Sequence, residues 1–167
     1  MASFISFIGL RTGANAVNLA PYHTMFNFYF AYIVLSSRLL KHYLKIDHNV
    51  CPREDVSKYG ERALAAGKIT QRQLNLVKRN EAAHANSMEH FPVFAASAVF
   101  ATVAGVSNTH INGACAIYTA ARIVFAISYL TVERVKYSYV RSFAWWVSNF
   151  ACLNLFWVAG NTMNKNT

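Results

Sequence analysis

Apolar residues dominate four stretches of the chain, at about 16–40, 86–106, 111–132 and 142–163. Each is long enough for the roughly 20 mainly apolar residues that a helix needs to cross a bilayer. The first runs through Tyr22, Met25, Phe26, Phe28, Tyr29, Phe30, Tyr32, Ile33, Val34 and Leu35. The fourth runs through Trp145, Trp146, Phe150, Leu153, Leu155, Phe156 and Trp157. Only Ser107 to His110 separate the second window from the third, a link so short that it forces an antiparallel hairpin. The pattern predicts an all-α membrane protein, a four-transmembrane-helix bundle forming one domain over residues 1–167, with no internal repeat and no linker-like segment.

Composition supports that pattern. Charged residues make up 14% of the chain and apolar residues 54%. Soluble domains carry about 25% charged residues, so this chain has roughly half the usual means of facing water. The same apolar content excludes disorder.

The net charge of +9 changes the picture only through its placement. Ten Lys and Arg fall between Arg38 and Arg79 inclusive, whereas none lies between Arg79 and Arg122. Charge confined to loops beside long apolar segments follows the positive-inside rule, so the basic stretches 41–78 and 133–141 are expected on the cytoplasmic side. The termini and the turn at Asn108 then lie opposite. No stacking motif accompanies the basic residues, which argues against a nucleic-acid partner. The opening segment from Met1 to Leu10 lacks a basic start and a convincing cleavage site, and is not expected to be a signal peptide.

Cys51, Cys115 and Cys152 are too isolated for a disulfide framework and read as free thiols, the latter two as packing residues inside apolar windows. His84 and His90 are six apart and do not share a helix face, so no metal is expected.

Ionisable groups at membrane depth are costly and mark sites or pathways. On a helix, Arg79, Asn86 and Glu89 fall along one stripe, followed by Pro92, which removes the hydrogen bond to the Met88 carbonyl and favours a kink. Arg122 lies midway along the third window, with Phe125, Ser128 and Tyr129 near the same face, and Glu89 is its expected partner. Arg38 and Arg141 stand at ends of the first and fourth windows, where an arginine also serves by snorkelling toward headgroups. The stripe also suits a helix entering the membrane with one pair made for packing.

Taken in order, these residues resemble the MAPEG family, the membrane-associated proteins in eicosanoid and glutathione metabolism. Asn86-Ser87-Met88-Glu89-His90-Phe91-Pro92 is similar to the family's Asn-x-x-Glu-x-aromatic-Pro core, and Ala83-His84 to the pair that precedes it. Arg122 with Tyr129 resembles the third-helix Arg and the Tyr seven residues on. Arg141-Ser142 resembles the pair opening the fourth helix of some members, and Arg38 falls where members carry an arginine. Two positions depart from the family: Ala82 stands where the best-known members have a glutathione-contacting arginine, and Phe125 where some have a tyrosine. Arg79, one turn before Ala82, is a candidate substitute for that arginine.

The resemblance implies a homotrimer in the endoplasmic reticulum or another internal membrane, with glutathione bound between subunits near the cytoplasmic side. It implies glutathione as cofactor, held by Arg38, His84, Asn86, Glu89, His90, Arg122 and Tyr129. Paired arginine hydrogen bonds suit its carboxylates, and Glu89 suits its amine or orients an arginine. Arg141, helped by Ser142, is the candidate for activating the thiol. A lipophilic electrophile would enter from the membrane lipid for conjugation, peroxide reduction or isomerisation. Two alternatives share the fold: a non-catalytic protein that binds a lipid or an enzyme partner, and an isomerase or cyclase that works without glutathione, with Glu89 or His84 as acid or base.

Overall fold

A computed structural model of the chain describes residues 16–165. The described residues form helices and turns, with no strand among them. The expectation about the opening segment from Met1 to Leu10 lies outside the described residues.

Helix α1, Ala20–Tyr29, carries Pro21 in its first turn, where a missing N–H leaves no bond unmade. It widens into a π-helical turn, Phe30–Val34, closed by the Leu35 amide on the Phe30 carbonyl at 3.0 Å. The chain breaks at Ser36-Ser37, and Arg38–Tyr43 form a separate short helix, α2. The first apolar window is therefore not one helix to Leu40. The Leu35 carbonyl is taken by the side-chain amide of Asn80 at 2.8 Å, and Arg38 stands beyond the break.

A connecting region follows, through turns at Pro52–Glu54 and Asp55–Gly60, to helix α3, Glu61–Ala65. It packs Ile46, Val56 and Ile69 on Leu74 and Val77. Gly60 marks the closest approach: a Cβ there would come within 2.8 Å of Leu74 Cδ1.

Helix α4 runs from Gln71 to Val103, 33 residues and so roughly 50 Å, well over the ~30 Å hydrocarbon core of a bilayer. It starts fifteen residues before the apolar window opens, because its N-terminus is set by a capping box. The Gln73 amide donates to Thr70 Oγ1 at 3.2 Å, and the Thr70 amide donates to Gln73 Oε1 at 2.8 Å. Its far end is closed by a Schellman motif, with Gly105 at φ +76° and the Val106 amide reaching the Ala101 carbonyl at 3.0 Å. The helix is continuous through Pro92.

Helix α5, Asn108–Thr131, follows at once, and α6, Val135–Lys165, completes the bundle. Among the described residues α5 is the one helix long and apolar enough by itself to cross a membrane. A shared core joins α4, α5 and α6 through Phe94, Ala98, Ile111, Cys115, Tyr118, Cys152 and Leu155. Small residues in it, such as Ala151 and Ala159, let the helices approach closely. Polar contacts stitch α1 on: Asn27 Nδ2 donates to Thr119 Oγ1 at 2.8 Å, and Asn112 Oδ1 accepts from the Leu19 amide at 2.8 Å.

Candidate functional site

The facing sides of α4 and α5 bring together Asn86, Ser87, His90, Tyr118 and Arg122. Arg122 is 2% exposed. Its Nη2 donates to Asn86 Oδ1 at 3.1 Å and to Ser87 Oγ at 2.9 Å, while Nη1 is buried without a hydrogen-bond partner. The guanidinium lies 4.2 Å from the Phe125 ring centre, close enough for a cation–π contact.

That contact begins a ladder. Phe125 meets Tyr129 edge-on at 5.0 Å, and the Arg141 guanidinium of α6 lies 4.2 Å over the Tyr129 ring. Phe125 thus touches both the Arg122 guanidinium and the Tyr129 ring. Arg141 is half-buried and Ser142 beside it is exposed.

His90 lies on the buried face one turn beyond Asn86. Its Nδ1 is 3.3 Å from the Tyr118 hydroxyl, and the Tyr118 ring stacks on Phe94 at 3.9 Å. Tyr118 precedes Arg122 by one turn, so both project from the same side of α5. Asn86, Ser87, His90, Tyr118, Arg122, Phe125, Tyr129 and Arg141 therefore form one connected cluster.

Glu89 does not pair with Arg122. It is exposed and has no hydrogen bond or ion pair among the described residues. Three residues along a helix turn a side chain about 60° from Asn86, here away from the core. Arg38 also stands apart, bonded to Asn49 and 3.6 Å from Asp47. His84 Nδ1 donates to the Ala31 carbonyl at 2.8 Å, which ties α4 to α1 and fixes that ring's tautomer. Arg79 is engaged at the α5–α6 turn, where its Nη2 bonds Glu133 Oε1 at 3.2 Å.

Ser87 and Tyr118 carry contacts that the sequence reading did not assign. Tyr118, four residues before Arg122, had a helical signal; Ser87 sits beside Asn86 and needed the rotation of α4 to be known.

At the end of the bundle that bears the basic region, Lys41 is 6% exposed and sits 3.3 Å from Asp55 Oδ2 and 2.5 Å from Glu81 Oε1. The hydrogen bond and charge of Arg72, with Arg79 beyond it, hold the Glu133 carboxyl below the usual carboxylate range.

The model of the MAPEG family matches residues 23–161, which takes in every residue of this cluster. No match to the chain is found among curated proteins or among solved structures.

Proposed function

The chain belongs to the MAPEG family of membrane proteins, which includes glutathione transferases and related enzymes, and from that premise we propose a glutathione-dependent transferase or peroxidase acting on a lipophilic electrophile. One observation carries the reading. Arg122 is a buried cation with neutral partners, Asn86 and Ser87, one unpartnered guanidinium nitrogen, and no acidic side chain paired to it among the described residues. An uncompensated cation at such depth is costly, and an anionic ligand would relieve that cost.

Glutathione would supply two carboxylates, an amine and a thiol nucleophile. Arg122 would take one carboxylate with Nη1, with Asn86 beside it and Tyr129 along the ladder. Glu89, unpaired on the outer face of α4, is free to meet the amine. A homotrimer accounts for that exposure: Ala82, Ala85, Glu89, Pro92 and Ala96 form one exposed, mostly small-residue stripe on which a second α4 can pack closely. Arg141 is the cation proposed to stabilise the thiolate, with Ser142 beside it and Tyr129 fixing its guanidinium plane. Apolar substrate would arrive along the aromatic faces of α1 and α6, from a protein that crosses an internal membrane such as the endoplasmic reticulum four times.

The test is a titration of the detergent-purified protein with glutathione, following heat together with the ultraviolet absorbance of bound thiolate. Binding with a thiolate signal is expected. Arg141→Ala should lower turnover about a hundredfold while affinity changes far less, and equal losses in both would move Arg141 to a binding role.

The close burial of Arg122 favours a second reading, in which it is a structural cation of a protein that binds lipid or an enzyme partner without catalysis. Absence of binding at saturating glutathione would select it, whereas turnover with no thiol present would select an isomerase or cyclase.

A further inference from the structure

A second cationic cleft lies outside the Arg122 cluster, at the junction of the α4 N-terminus with the α5–α6 turn. Its centre is Glu133. A single carboxylate oxygen, Oε1, accepts both from Arg72 Nε at 3.3 Å and from Arg79 Nη2 at 3.2 Å. The pairing leaves much of both guanidinium groups unused. Arg79 Nε is buried without an acceptor.

Cavities open on both sides of this carboxylate. One, of about 440 Å³, is lined by Arg72, Arg79, Leu76 and Leu130. The other, of about 280 Å³, is lined by Arg72, Arg134 and Tyr137. Two guanidinium groups thus share one carboxylate and a third arginine, Arg134, lines the adjoining cavity, an excess of two positive charges at the spot where the apolar run of α5 ends. Lipid phosphates occupy that boundary in a bilayer.

We propose that Arg72, Arg79 and Arg134 form a binding site for a phosphate group, in which Glu133 is a resident stand-in that an incoming phosphate displaces. Exposed carboxylate–arginine pairs contribute little, and Glu133 and Arg72 have side chains 44% and 83% exposed. A phosphate brings more acceptor oxygens to the same forks and can engage Arg79 Nε as well as Nη2, giving the paired geometry the single shared oxygen does not. Leu76 and Leu130 supply an apolar wall for whatever carries the phosphate. The same chemistry is offered by an anionic phospholipid headgroup and by a soluble phosphate ester, and the site recognises the group they share. The proposal does not depend on glutathione.

The experiment is a titration of the full chain, in neutral detergent, with inorganic phosphate. It is repeated in nanodiscs of phosphatidylcholine with and without phosphatidic acid. Saturable phosphate binding is expected, weakened about tenfold by Arg79→Ala and by Arg134→Ala, the scale of one lost charge-assisted hydrogen bond. Glu133→Gln, on an exposed turn, should tighten it, since the competing carboxylate is gone. Competition by phosphatidic acid nanodiscs would identify a lipid headgroup as the occupant; phosphate binding unaffected by them would identify a soluble ester. No saturable binding, or equal binding by the wild type, Arg79→Ala and Glu133→Gln, overturns the site. So does loss of phosphate binding on Arg122→Gln together with displacement by glutathione, which would make the cleft part of the Arg122 cluster.

Discussion

Two buried cations of this chain are held in opposite ways. Lys41, under the basic connecting region, has Asp55 and Glu81 within salt-bridge distance, and Asp55 is fully buried. Arg122, between α4 and α5, has an amide, a hydroxyl and an aromatic ring. The first is a closed ionic unit that joins the connecting region to α4. The second has no acidic side chain paired to it among the described residues. A charge that serves only the fold is neutralised by the fold; one that is solvated by dipoles and left incomplete is poised for something that arrives later.

Removing Lys41 tests the first half most severely. Lys41→Met strips the fully buried Asp55 side chain of its cation and leaves the His48 amide at 2.9 Å as its remaining strong donor. Loss of about 3 kcal/mol of stability is expected, measured by unfolding in detergent, with early proteolysis between 41 and 70. Adding Asp55→Leu should restore most of it, because the stranded charge carries the cost. If the single variant unfolds like the wild type, the ionic unit is not what fastens this region.

Arg122→Gln should behave oppositely. The ligand-free protein should keep its stability to within about 1 kcal/mol or gain some, since a burial cost goes with the charge. Glutathione affinity should fall about thirtyfold, near 2 kcal/mol. A large loss of stability with affinity intact would make Arg122 a second structural cation and remove the contrast.

The sequence made one of these regions far more legible than the other. Asn86, Arg122 and Tyr129 stand within apolar windows and Arg141 at the edge of one, so a polar residue there draws attention at once, and the family match covers them all. Lys41, Asp55 and Glu81 lie among many charged neighbours, fourteen and forty residues from Lys41, and no periodicity links them. Hydrophobicity likewise located the apolar part of α4 but not its start, which depends on the Thr70–Gln73 capping box. The pairing of Glu89 with Arg122 failed for a rotational reason: proximity along a stripe does not say which flank of it faces the neighbouring helix.

That outward Glu89 sharpens the comparison further. With no partner among the described residues, Glu89→Gln should leave the thermal stability of ligand-free, detergent-dispersed subunits unchanged. Glutathione affinity should fall about fivefold, near 1 kcal/mol, if the carboxylate meets the amine. A fall in stability with affinity unchanged would assign Glu89 to the fold of the subunit instead.

The smallest effect belongs to Glu133, an exposed carboxylate bridging two arginines, and it separates surface charge from buried charge. Its pKa is lowered in the folded protein, chiefly by the hydrogen bond from Arg72. The unfolded state therefore binds the proton more readily. The bridge contributes fully above the ordinary carboxylate range and is lost as the pH falls through the lowered folded value. Glu133→Gln should remove that part of the acid-side slope of stability, so that the variant is slightly less stable than the wild type near neutrality and the two converge in acid. Because Glu133 and Arg72 are exposed, high salt should erase most of the difference between wild type and variant, while leaving the penalty of Lys41→Met nearly intact. Equal salt sensitivity at both places would mean that water reaches Asp55 as freely as Glu133, and the distinction between a sealed ionic unit and an open one would fail.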